Sequence, residues 1–234
     1  VTWEIKKGGD MSTMTIAPAS QKDSLGAANQ QKVLAMIDDL IAQLPNPERL
    51  TTEQRRGIIA RYTAVLEGNF IYWMTATNLA VKADEARPIL LENLYEEVRD
   101  SHPVMLRKFA IAAHAFPTDK DALAIDTDLT KVRRFLGKLQ GVPSLLTMAF
   151  FESFIQRFMS YLAALAAAQG STEMEYTDVH GVCDIAHSEG LFRAVNLEMS
   201  RYPVSPDTDL FEGVILLRTL IQAILQEPTE RLAA

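Results

Sequence analysis

The octet HGVCDIAH, residues 180–187, sets His180, Asp184 and His187 in an H-x3-D-x2-H pattern within a chain that has only four histidines. Imidazole and carboxylate are donors that transition-metal ions share readily. On an α-helix each residue advances about 100°, so the three side chains fall within about 60° of one another and form one stripe. The stripe covers about 10 Å of axial rise. That is too long for one ion held equally by all three, and it suits two neighbouring ions with the central carboxylate close to both. The competing reading is a solvated polar stripe. Val179, Val182, Ile185, Ala186, Leu191 and Phe192 surround the motif and predict burial, where ionisable groups need partners or a cation.

Two further stretches offer donors. In MAFFESFIQRFM, Glu152 sits among Phe150, Phe151, Phe154 and Ile155, an interior helix in which an unpaired carboxylate is expensive. It either pairs with a basic residue of another helix or bridges metal ions opposite the octet. In ENLYEEVRDSHP, Glu92, Glu96, Glu97 and His102 compete, against the bland alternative of a solvated acidic face. On a continuous helix Glu97 and His102 would point about 140° apart. A break at Arg99–Ser101 removes that obstacle, because Asp100 or Ser101 can cap a fresh helix with Pro103 in its first turn. Taken together, Glu97, His102, Glu152, His180, Asp184 and His187 give three carboxylates and three imidazoles. That mixed set suits two Fe(II) or Mn(II) ions with positions left open for O2, whereas zinc asks for fewer ligands in a tetrahedral site.

Other residues are candidates for substrate contact. Tyr62, Phe70 and Trp73 fall on one side of a helix at i, i+8 and i+11, and Phe154, with Phe150 and Met148, can extend such a wall; plain core packing accounts for the same pattern. Glu67 lies mid-helix among apolar residues as an extra metal ligand, a partner for a substrate amine, or the mate of a base such as Arg61 or Lys82. Arg61, Arg157 and Arg193 could take a substrate carboxylate or form surface ion pairs. Cys183, the sole cysteine, is turned away from His180 and has no base placed to activate it.

The elements that must position these groups read as helices throughout. Apolar spacing predicts helices near 29–44, 50–83 and 84–99, a restart at 100–103, and further helices near 126–140, 143–169, 174–202 and 207–226. No alternating strand pattern, repeat or Gly-rich phosphate loop appears. Residues 1–26 are small and polar and are expected to form a flexible lead-in, with a single helical domain over 27–234. A formal charge of −7 argues against nucleic acid as a partner. The apolar run VPSLLTMAFFESFIQRFMSYLAALAAA carries Glu152, Gln156 and Arg157 near its middle, which favours a buried bundle helix over a membrane span. With one cysteine and no signal peptide visible, a cytoplasmic location is expected.

On these motifs the chain resembles the heme-oxygenase-like diiron oxidases. NLYEEVRDSH is similar to that family's first metal segment, in which Glu97 and His102 would be ligands. FFESF supplies the lone glutamate of the second segment as Glu152, and HGVCDIAH matches the third. The linker from Glu97 to His102 is shorter than usual, which keeps Glu96 and Glu92 open as the first carboxylate. The resemblance covers roughly residues 50–200. It implies an all-α, seven-helix heme-oxygenase-like bundle that binds two iron ions, uses O2 and carries no haem. It further implies an oxidoreductase of biosynthesis acting on a small molecule, with an external electron donor and room for a homodimer. N-oxygenation of an amine-bearing metabolite is the expected reaction, ahead of oxidative C–C cleavage or desaturation of an amino or fatty acid. A metal-free helical binding or interaction protein on the same scaffold is the rival of another class. Likeness to TenA-type thiaminases, which share the fold and use a cysteine nucleophile, is weaker.

Overall fold

Apolar residues at helical spacing occupy almost the whole chain, and the resulting helices have to bury their stripes against one another. The computed structural model describes residues 21–226. Within them lie nine α-helices and no strand: α1 (Gln21–Ala42), α2 (Thr52–Leu66), α3 (Phe70–Ala80), α4 (Arg87–Arg99), α5 (His102–Ala112), α6 (Asp119–Leu136), α7 (Gly141–Ala167), α8 (Glu175–Arg201) and α9 (Glu212–Leu225). The fold is therefore all-α, with nine helices among the described residues where seven were expected. The lead-in expected over 1–26 falls largely outside the described residues, as does the end of the chain from 227. From Gln21 onward the backbone is already helical, ahead of the expected start near 29.

The hub is α7. Every residue from Val142 to Ile155 is buried, because α8, α9, α1, α3 and α2 all pack around it. A helix apolar on all sides needs such a jacket. No helix among the described residues is long and apolar enough to cross a membrane. Buried apolar side chains from all nine helices join one core cluster.

Three helix ends depart from simple periodicity and orient their neighbours. The helix expected over 50–83 is broken between α2 and α3, where Gly68 takes φ 80°, the left-handed region that glycine enters without penalty. The sequence signal was the Glu67-Gly68-Asn69 run, a helix stop inside an apolar pattern. At the α4–α5 junction the predicted break is present: Asp100 ends α4, and Ser101, at φ 57° and ψ 39°, precedes α5 with Pro103 in its first turn. Ser101 makes no side-chain capping bond, so the turn is made by backbone conformation. A capping box between Thr118 and Asp121 starts α6 several residues before the expected 126.

The α3–α4 connection is clamped to α8 by Glu198. Its buried carboxylate accepts from the backbone N–H groups of Lys82 (3.1 Å) and Ala83 (2.8 Å). Glu198→Ala strands two donors, each costing about 1–3 kcal/mol when left unpaired. The variant is expected to unfold at a clearly lower temperature than wild type; an unchanged thermal midpoint in circular dichroism would show that the clamp is dispensable.

Candidate metal centre

Four helices converge where the octet of α8 meets α4, α5 and α7. The octet is helical, so His180, Asp184 and His187 form the stripe that their spacing predicts. Glu152 faces it from α7, Glu97 from the end of α4 and His102 from the start of α5. Five of the six line one cavity, Glu97, His102, Glu152, His180 and Asp184, and His187 adjoins it. Glu152 and Asp184 are each only 1% exposed.

The six divide into two groups. In the first, Glu97 Oε1 lies 2.8 Å from His102 Nδ1 and 3.9 Å from His180 Nε2. The turn at Asp100–Ser101 makes the first contact feasible, since it swings His102 back toward the residue five positions earlier. His180 Nδ1 donates to the carbonyl of Tyr176 at 2.8 Å, which leaves the Nε2 lone pair facing Glu97. A ligating histidine commonly has its second nitrogen anchored in this way. Two imidazoles and a carboxylate, with donor atoms all within 4.8 Å of one another, match the donor set of non-haem iron sites.

In the second group, His187 Nδ1 lies 3.6 Å from Asp184 Oδ1 and 3.9 Å from Glu152 Oε2. Neither distance is a hydrogen bond. His187 Nδ1 and Asp184 Oδ2 are buried without a hydrogen-bond partner among the described residues. Glu152 Oε1 is held by Asn93 Nδ2 at 2.9 Å. No lysine or arginine among the described residues forms an ion pair with Glu97, Glu152 or Asp184; their charged neighbours are histidines. Orphaned buried donors and acceptors of this kind are what a bound cation would satisfy. Here the donor atoms within 4.8 Å of one another are those of Cys183, Asp184 and His187, with Glu152 Oε2 3.9 Å from His187 Nδ1, so the side chains offer two neighbouring places where a metal ion could be held.

The electrostatics have the same cause. Burial drives Glu152 well above the usual carboxylate range, and repulsion from Asp184 and Glu97 adds to this against the pull of His187 and Asn93. Burial works against charge on His187, but Asp184, Glu152 and Glu96 outweigh it and set the ring at about 9. Burial lowers His180 despite the nearby carboxylates. His102 is raised, burial being outweighed by its bond to Glu97 and by the surrounding carboxylates. Burial also raises the Cys183 thiol, helped by Asp184, so Cys183 stays protonated and donates to Asp184 Oδ1 at 3.3 Å.

Several sequence-level candidates lie elsewhere. Glu67 ends α2 and pairs with Arg107 of α5, neither of the bases expected for it. Phe70 lines the cavity. The α2–α3 break separates Tyr62 from the other two: Tyr62 meets Tyr176 hydroxyl to hydroxyl at 2.8 Å, while Phe70 and Trp73 stay three residues apart on α3 and both pack against Phe151, Trp73 edge-on. Phe154 stacks on Phe158 in the core. Arg61 donates to the Ile224 carbonyl beside a separate cleft of about 310 Å³ between α1, α2 and α9. Arg157 pairs with Asp38, and Arg193 is exposed. Glu92 is exposed. Of the apolar residues flanking the octet, Leu191 and Phe192 are buried but Val182 and Ile185 are exposed, so the helix is buried only in part.

Sequence reasoning missed Asn93 and Tyr176 as supports, and did not foresee that Glu96 Oε2 would meet His187 Nε2 at 2.9 Å. Asn93 and Tyr176 each stand four residues before a predicted ligand, Glu97 and His180, and so share its helix face. That spacing was the available signal. No protein-family model matches the chain, and no curated protein is significantly similar to it in sequence.

With a folded pKa of about 9 against an ordinary 6.5, the proton on His187 stabilises the fold fully below pH 6.5. That contribution is lost as pH rises through 9. Raised Glu152 acts with the same sign. Chelator-treated protein is expected to lose thermal stability between pH 6.5 and 9, and His187→Gln to flatten the loss. Parallel pH profiles for the two proteins would contradict this assignment.

Proposed function

We propose that this protein is a non-haem diiron oxygenase acting on a small amine-bearing metabolite, with N-oxygenation as its reaction. The observation that carries the reading is the convergence of Glu97, His102, Glu152, His180, Asp184 and His187 around one cavity, with no lysine or arginine among the described residues paired to the three carboxylates. A binding module on the same scaffold has no need to gather these groups, and burying them without a cation is costly. The resemblance of NLYEEVRDSH, FFESF and HGVCDIAH to the heme-oxygenase-like diiron oxidases points the same way, and the preference for an amine rests on it.

Two iron ions held by these six residues would supply reductive activation of O2, with one oxygen atom passed to substrate nitrogen, the other leaving as water, and two electrons drawn from an external donor. The residues themselves do the positioning. Tyr176 O fixes the His180 ring, and Asn93 fixes Glu152. Leu66, Phe70, Ile71, Pro103, Leu106 and Ile155 wall the cavity and keep water from the reacting atoms. The cavity is only about 20 Å³, room for one water-sized guest, so an organic substrate requires α5 or the α2–α3 segment to move aside. The apolar wall also favours a second reading, oxidative C–C cleavage or desaturation of an amino or fatty acid by the same centre.

Anaerobic Fe(II) titration followed by O2 exposure, watched by absorption spectroscopy, tests the proposal. Wild type is expected to bind two irons per chain and Glu152→Ala markedly fewer. Saturation well below two per chain in wild type rejects a diiron centre. Incorporation of label from 18O2 into the nitrogen of candidate amines then separates N-oxygenation from carbon chemistry.

A further inference from the structure

His187 has two ring nitrogens in opposite surroundings. Inward, Nδ1 has no hydrogen-bond partner among the described residues and faces Asp184 Oδ1 at 3.6 Å and Glu152 Oε2 at 3.9 Å. Outward, Nε2 lies 2.9 Å from Glu96 Oε2. An ionised carboxylate only accepts, so in the neutral ring that metal binding requires the hydrogen sits on Nε2 and the lone pair on Nδ1. Glu96 is not among the residues that line the cavity, and its side chain keeps 31% of its exposure against 9% for His187. It therefore stands behind the ring and away from the carboxylates. Glu96 and Glu97 are consecutive on α4, about 100° apart around the helix, which is how one helix reaches His102 and His180 with one carboxylate and His187 with the other.

We infer that Glu96 is a positioning residue of the second ion site: it fixes the tautomer and ring orientation of His187 so that Nδ1, with Asp184 and Glu152, is presented to the cation. This rests on the two-ion reading proposed above. A carboxylate hydrogen-bonded to the far nitrogen of a ligating imidazole also raises its basicity, and removing such partners typically weakens metal binding about 10- to 100-fold.

The test is an anaerobic Co(II) titration of the full chain, followed by calorimetry and by the visible absorption bands of the bound ion. Wild type is expected to bind two ions. Glu96→Ala should weaken one binding step about 10- to 100-fold and leave the other unchanged. Glu96→Gln, whose amide oxygen still accepts from Nε2–H, should lose far less affinity than the truncations. Glu96→Ser provides a second truncation if the alanine variant is unfolded. A loss in Glu96→Gln as large as in the truncations makes Glu96 a ligand and overturns the positioning role. Equal affinities in wild type and truncations overturn it too, with the two-ion reading intact. A wild type that takes up one ion or none sinks the two-ion reading itself, and the role of Glu96 with it.

Discussion

Three carboxylates around one small cavity repel one another unless positive charge lies among them, and in a low-dielectric core that repulsion is poorly screened. Among the described residues, Glu97, Glu152 and Asp184 meet this condition with imidazoles in place of lysine or arginine. Much of the surrounding architecture is a response to it. Glu152 can be buried because α7 is wrapped on all sides and because Asn93 donates to one of its oxygens. The histidines approach from α5 and α8, where they can carry a proton or, once deprotonated, a metal. An ammonium or guanidinium in their place would neutralise the charge permanently and leave nothing to exchange. A proton and any cation bound there would compete for the same lone pairs.

The geometry is divided between rigid elements. The stripe on α8 needs only an unbroken helix, while the other half of the site depends on how α4 stops and α5 starts. Because a left-handed residue separates α4 from α5, Glu97 and His102 come together although a continuous helix would keep them apart. One support is local and one crosses between helices. Tyr176 holds His180 from one turn earlier on the same helix, whereas Asn93 of α4 reaches across to Glu152 of α7. The short-range anchor at Tyr176 sets ring orientation without relying on distant packing.

Periodicity made much of this legible. The H-x3-D-x2-H spacing was enough to put three side chains on one helix face, and the Asp-Ser-His-Pro run marked a junction. Glu152 stood out as a carboxylate in an aromatic helix. What stayed hidden depended on how helices are rotated against one another. The pairing of Glu96 with His187 joins residues far apart in the chain and is decided by the packing of α4 on α8. The aromatic stripe is cut for a local reason: Gly68 stops α2 and separates Tyr62 from Phe70 and Trp73, which remain together on α3 against Phe151. Glu67 departs from expectation on the same account, since a residue expected mid-helix stands at a helix end facing Arg107.

The α4–α5 junction carries a consequence for how this chain can change. Ser101 is not buried and makes no capping bond, so by composition the site looks like a surface turn open to variation. Its length is not free. Adding or deleting a residue at Asp100–Ser101 would change the course on which the chain enters α5, and with it the direction from which His102 reaches Glu97 Oε1. Substitutions that keep the left-handed turn, glycine or asparagine above all, leave the register intact, whereas insertions and deletions do not. A solvent-facing turn of two residues is thereby held to a fixed length as strictly as any packed core position.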